Sequence, residues 1–329
     1  MNTQSNPLIL TAADAQALPE RERVGLAVAR LDTATMVKTC IAAEEAGVRQ
    51  VWSTQSPMQP DTLTVFMAVA VQTRAIRLGT AIIPTYPRHP LTMASQALAL
   101  NDMAPGRLRL GIGSSHRPVM EGVYGLEMGK PLEHLREYVE IVRAALWDGQ
   151  VDYQGKYFTV HASIPYTAKV PILTSVLREN AFKQAGAIAD GALSWLCPVP
   201  YLLKTGLPAL RTAAQAAGRQ APPLVAHVLV AVSEDRPAVI KATRTQIANY
   251  GHLPFYAAMF ADAGYPVGEG GVMSDELIDS LVISGSTTAI SERLKELLAS
   301  GLDELLVLPV AVQQKDSELH QLMQLIGRL

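Results

Sequence analysis

From Arg23 to the C-terminus, short β-type runs alternate with segments of helical periodicity, and this alternation constrains the fold more than any other feature. The runs are RVGLAVA, VRQVWST, IRLGTAII, RLRLGIG, VPILTS, GALSWL, PLVAHVLVAV and DELLVLPV. Between them, TATMVKTCIAAEEAG puts Met36, Val37, Cys40 and Ile41 on one helical face and stops at Gly47. Further helices are predicted over 61–73, 90–103 and 131–149, the last with Leu132, Leu135, Val139, Val142 and Leu146 on one face. Repeated βα units build a parallel sheet. Eight strands in about 250 residues plus insertions predict a (β/α)8 TIM barrel, with an open doubly wound sheet as the alternative. VDYQGKYFTV predicts a small β-hairpin turning at Gln154-Gly155, and 236–282 a helical insertion before the last strand, after which Ser286 caps a helix. Residues 1–21 read as an N-terminal extension, lying on the body or mobile, and 22–329 as a single barrel domain without a linker.

A formal net charge of -2 with interspersed signs argues against a nucleic-acid groove or a polybasic membrane surface, leaving a small-molecule partner. The two cysteines, Cys40 and Cys197, lack metal-ligand spacing and predict reduced thiols in a cytoplasmic protein. No secretory or membrane-spanning pattern is present.

A barrel builds its site from the loops after the strands. Those positions carry Thr54, Gln55 and Ser56, then Thr85, Tyr86, Arg88 and His89, then Ser114, Ser115 and His116, then 175–180, then Trp195 and Cys197. They lack the carboxylate or histidine cluster of a metal enzyme, a Schiff-base lysine, a nucleophile elbow and a phosphate loop, so no metal is expected. Hydroxyls, amides and aromatics suit an organic cofactor that carries the hard chemistry itself. GIGSSH begins like a dinucleotide fingerprint but has His116 where the third glycine belongs, and Pro118 is expected to prevent the helix a Rossmann unit needs. His116 reads as a phosphate ligand, a proton donor or a histidine satisfied by a carbonyl. Arg88 and His89 equally read as residues flanking a helix that starts at Pro90, Trp195 as core, and Gln55 as a loop cap.

LGTAIIPTYPRHPLTMASQAL, GRLRLGIGSSHRPVMEGVYG and PLEHLREYVEIVRAAL, continued by VPILTS, ADGALSW and LPFYAAMF, resemble the luciferase-like flavin-dependent oxidoreductase superfamily, in its coenzyme F420-dependent branch. The resemblance implies that Gly79, Thr80, Ala81 and Ile82 lie behind the tricyclic ring, with a non-proline cis peptide at Ala81-Ile82. It also implies that Ser114, Ser115 and His116 and the backbone amides near Val176, Leu177 and Arg178 face the phosphate; Gln55, Ser175 and Trp195 are further candidates for cofactor contact. Related sequences have Gly-Pro where this chain has Arg178-Glu179, and sugar-oxidising relatives have Asp-His where it has Gln55-Ser56. The latter departure speaks against alcohol oxidation.

The expected function is hydride transfer between reduced coenzyme F420 and a small organic substrate with a polarised C=C or C=N bond, in a homodimer. Proton-donor candidates are Tyr86, His89 and His116. The alternatives are a two-component monooxygenase using FMN and a noncatalytic flavin- or F420-binding protein. Arg117, Lys130 and Arg178 read either as contacts to an acidic cofactor tail or as solvated charges. Apolar Phe255, Tyr256, Met259 and Phe260 suggest an apolar ligand.

Overall fold

A computed structural model of the chain describes residues 8–28 and 32–329, so residues 1–7 of the expected extension and Ala29 of the first expected strand lie outside it. In chain order the strands are β1 (Val24–Ala27), β2 (Gln50–Ser53), β3 (Arg77–Thr80), β4 (Ile83–Pro84), β5 (Leu108–Gly113), β6 (Gln150–Gln154), β7 (Thr159–Ser163), β8 (Ile172–Val176), β9 (Gly191–Ser194), β10 (Leu224–Ala231), β11 (Val282–Ser284) and β12 (Glu304–Pro309). Parallel pairing runs β1-β2-β3-β5-β8-β9-β10-β12 and returns to β1. This closed circle of eight parallel strands, wrapped by helices, is a TIM barrel.

Side-chain alternation along the strands divides the apolar interior into two bodies. One residue set packs the outer wall against the helices, and the other, with Trp52, Leu173, Leu193, Val225 and Leu306, fills the barrel. Trp52 is fully buried there. It fits because two glycines of the flanking strands leave room for it: a Cβ on Gly79, its register partner on β3, would lie 2.1 Å from the indole, and one on Gly25, two residues before its β1 partner Ala27, would lie 2.8 Å from it. Beneath Trp52, Arg109 grips Glu304 through two hydrogen bonds of 2.6 and 2.7 Å. Gln50 Oε1 accepts from both Trp52 Nε1 (3.1 Å) and Arg109 (3.2 Å). Burial pushes the Glu304 carboxyl up, but the adjacent Arg109 guanidinium more than offsets this and holds it below the usual carboxylate range.

The helix Ala12–Ala17 starts at a reciprocal cap between Thr11 and Asp14. Ala12 N–H donates to Ala221 O (2.8 Å) and Gln16 to Asp303 (2.6 Å), residues just before β10 and β12. The described part of the extension therefore lies across the end of the barrel opposite the strand tips.

Between β3 and β4 the Ala81–Ile82 peptide is cis. Both neighbours pin this bend. Ala81 N–H donates to Ser53 O (2.7 Å) and Gln55 N–H to Ile82 O (3.0 Å), while Thr80 Oγ1 donates to Gly111 O (2.7 Å) and accepts from Gly111 N–H (2.8 Å). The hairpin is antiparallel, but its turn spans 155–158 rather than two residues, because the buried Glu137 carboxylate accepts the N–H groups of Lys156, Tyr157 and Phe158.

Two expectations are corrected. Pro118 does not prevent a helix: Arg117–Gly122 is helical with this proline in its first turn, where its missing N–H has no intrahelical partner to lose. Met259 and Phe260 are fully buried in the outer core and Phe255 is exposed, so of the four apolar residues only Tyr256 faces the strand tips. No helix among the described residues is long and apolar enough to cross a membrane.

A Cβ on Gly111 would lie 1.9 Å from Thr80 O and 2.5 Å from Leu193. Gly111→Ala must displace backbone, and overpacking of this kind costs about 1–3 kcal/mol. A thermal melt should show a clearly lower midpoint than wild type; an unchanged midpoint would contradict the packing described.

Candidate active site

The mouth of the barrel is a recess because small residues sit above large ones. Ala81 and Ile82 are half-buried and rest on the Trp52 layer, forming an apolar floor. On β5 and β8, the face beside this floor carries Gly113 and Ser175, and a Cβ on Gly113 would meet Ser175 Oγ at 2.2 Å and Ile82 Cδ1 at 3.3 Å. Gly79 and Thr80 lie below the floor, fully buried, and so do not reach the recess. Val176 is buried in the outer wall, whereas Leu177 and Arg178 continue to the rim.

The loop after β5 turns sharply at Ser115, a non-glycine residue with φ 60°, a conformation that recurs at functional turns. Ser114 Oγ donates to Pro131 O (3.2 Å), which ties the loop to the helix Pro131–Arg143. His116 then faces the helical insertion, with its ring 6.0 Å from Tyr250 and 5.6 Å from Tyr256, both edge to face. Tyr250 also meets Trp195 at 5.6 Å. Arg178 donates to Asp262 (2.9 Å), latching the insertion to the loop after β8. His116, Trp195, Tyr250 and Tyr256 thus roof one side of the recess.

The three proton-donor candidates do not come together. Tyr86 stacks on His134 at 3.9 Å and 6°, in an aromatic group with Tyr138, Tyr157 and Phe158 outside the barrel interior. Its hydroxyl is buried without a partner among the described residues, and burial, with Tyr157 adding to it, pushes it up to about 12. His89 is exposed and accepts from Leu91 N–H (3.2 Å) as the cap of the helix Pro90–Met103, away from the recess. Only His116 lines the roof. Burial lowers its pKa, so at neutral pH the ring is uncharged and carries a single N–H.

Gln55 is used structurally, its side-chain oxygen accepting Thr62 N–H (2.7 Å) at the start of the next helix. The basic residues at the rim are each paired with an acid: Arg117 with Glu121, Lys130 with Glu133, and Arg178 with Asp262. Trp195 is half-buried at the mouth, and its Nε1 has no hydrogen-bond partner among the described residues although it is buried.

His227 was not singled out in the sequence, where it is one polar residue in the strand run PLVAHVLVAV. Its alternation with Val225 turns it inward, 5.0 Å from the Trp195 ring and hydrogen-bonded through Nδ1 to Ser194 O. A histidine two residues beyond an inward-facing core residue, in the middle of an otherwise apolar barrel strand, is the signal that would have found it.

Burial lowers His134 and His227 to about 4, opposed by Glu137 in the first and by the Ser194 hydrogen bond in the second. Both folded values lie below the ordinary 6.5, so the unfolded chain binds more protons between about pH 6.5 and 4. Their stabilisation is complete above that window and lost as pH falls through it, by roughly 3 kcal/mol each. Urea midpoints should fall from pH 7 to 4.5, and His134→Phe, which keeps an aromatic ring in the stack, should make the fall shallower. An identical slope in that variant would contradict the assignment.

The profile of the luciferase-like monooxygenase family matches residues 13–304. The 5,10-methylenetetrahydromethanopterin reductase of Archaeoglobus fulgidus is 28% identical over 310 residues, covering 87% of this chain and 91% of that one. The F420-dependent glucose-6-phosphate dehydrogenase of Nakamurella multipartita is 31% identical over 222 residues, covering 62% and 65%. The solved structure of the coenzyme F420-dependent tetrahydromethanopterin reductase from Methanopyrus kandleri superposes with a TM-score of 0.74 over 93% of this chain and 97% of that one, at 21% identity. With the match to the family spanning nearly the whole barrel, the chain belongs to the luciferase-like monooxygenase family.

Proposed function

We propose that this chain is an oxidoreductase that transfers a hydride between coenzyme F420 and a small organic substrate with a polarised C=C or C=N bond. The observation that carries the reading is the recess itself, an apolar floor at Ala81 and Ile82 edged by Ser115, Ser175 and the Trp195 indole. Such a surface suits a flat, neutral ring system with acceptors at its edge. Relatives named for F420, or for reductases that act on a pterin, support it by their extent over both chains.

The residues present fit that group. A buried indole N–H without an acceptor leaves a hydrogen bond to be made, and the pyrimidine-like edge of a deazaflavin offers carbonyl oxygens. Trp195 would hold that edge, Ala81 and Ile82 the face, and Ser115 with the chain at Leu177 and Arg178 the phosphate side. When bound, the deazaflavin supplies a two-electron hydride donor or acceptor with little reactivity toward oxygen. The protein excludes water through its apolar floor and aromatic roof, which strengthens every polar contact inside. His116, neutral, presents one N–H donor at the roof rather than a charged acid.

Fluorescence titration of the purified protein with F420 and, separately, with FMN tests the reading. Saturable binding of F420 in preference to FMN is expected, and Trp195→Phe, which keeps an aromatic ring and removes the donor, should weaken F420 binding about 5–10-fold. Tight FMN binding without F420 binding would favour a flavin monooxygenase instead. Binding of F420 without hydride exchange in stopped flow would favour a noncatalytic carrier.

A further inference from the structure

The barrel wall has a gap. β9 pairs with β10 only at Leu224–Ala226, and β11 pairs with the same strand only from Leu229 onward, while β12 occupies the other edge continuously from Val225 to Val230. His227 and Val228 therefore lack a strand neighbour on the side where β9 has ended and β11 has not begun. Behind this gap is a cavity of about 570 Å³, lined at its inner end by Trp195, Leu196, His227 and Leu229, with Val282 along its wall and Arg236 at its rim. Arg236 is already held there by Asp279 and by Ser284 Oγ (3.0 Å), so the rim offers no unpaired arginine charge at that point.

The inner end has a defined polarity. A carbonyl oxygen can only accept, so the His227 Nδ1 bonded to Ser194 O carries the hydrogen. The ring is neutral, which leaves Nε2 unprotonated as an acceptor. Nε2 has no partner among the described residues and belongs to a side chain that lines the cavity. Beside His227 the lining is Leu196 and Leu229, while the charged lining residues are already paired, Arg236 with Asp279 and Arg293 with Glu296.

We propose that the cavity between β9 and β11 is a binding site for a small, flat organic molecule that enters through the gap in the wall and donates a neutral O–H or N–H to His227 Nε2. A charged end at His227 is disfavoured by desolvation, since the lining charges Arg236, Asp279 and Arg293 are already engaged in ion pairs. A molecule without a donor leaves Nε2 unpaired. Trp195 separates this site from the recess, touching His227 on one side and Tyr250 on the other. The occupant therefore reaches the wall of the recess without passing the aromatic roof. The site itself is independent of any cofactor and of the function proposed above.

The test uses the cofactor-free protein and three probes of one shape. 2-Naphthol has a donor, whereas naphthalene and 2-methoxynaphthalene do not. Fluorescence titration should show 2-naphthol binding about fivefold or more tightly than either of the others. In long-range 1H–15N spectra, it should move the Nε2 signal that is missing from His227→Phe, and that variant should bind all three probes alike. Equal binding of the probes to the wild type, no saturable binding, or movement of other histidine signals with His227 unmoved would overturn the proposal. The comparison among probes and the wild-type spectra hold even where the variant folds poorly. Because no F420 is present, a failure here leaves the cofactor reading untouched, and a failure of F420 to bind leaves this site untouched.

Discussion

The floor of the recess, Ala81 and Ile82, rests on how Trp52 fills the barrel. One strand supplies a side chain large enough to span the middle of the interior, and the strands on either side supply Gly25 and Gly79, where any Cβ would collide with it. At native packing density a side chain added at either glycine must displace the indole or the backbone. Below it, the buried Arg109–Glu304 fork and Gln50 fix the indole N–H from beneath. Breaking such a pair by removing one partner leaves an unpaired buried charge, which is why the set is held together as a unit. Above it, on the side of β5 and β8, come Ala81, Ile82, Gly113 and Ser175, and the recess is the consequence.

That vertical order of large then small side chains separates two uses of polar groups. The charged pair lies at the sealed end, where it is structural. The mouth carries hydroxyls, an indole N–H and neutral histidines, with its charged groups outside and paired. A site of this composition positions and shields a reaction; it does not itself supply a strong acid, base or nucleophile. The aromatic roof contributed by the insertion then decides which side of the recess is open.

Much of the architecture was legible in the amino-acid sequence because it is written in local signals. The eight strand runs, the helix begun by Pro90, the Ser286 cap and the Gly47 terminus all depend on residues within a few positions of each other. The bend at Ala81–Ile82 was anticipated through resemblance, since no local rule demands it. What escaped notice depends on distant partners. Tyr86, His89 and His116 look alike at strand ends, and only the helix Pro131–Arg143, bringing His134 beneath Tyr86, separates the first from the third. The burial of Met259 and Phe260 follows from docking of the insertion against the outer wall, which hydrophobicity alone cannot distinguish from lining a pocket. Pro118 looks like a helix breaker only until its place in the first turn of Arg117–Gly122 is known, where proline is compatible with a helix. His227 was hidden in an apolar run whose period-two alternation, followed carefully, turns it inward.

The account is tested most directly by a crystal structure of the protein soaked with F420. It predicts the tricyclic ring lying on Ala81 and Ile82 with a ring carbonyl accepting from Trp195 Nε1. Density for the ring anywhere else, in the cavity behind the β9–β11 gap or outside the roof of His116 and Tyr256, would contradict it.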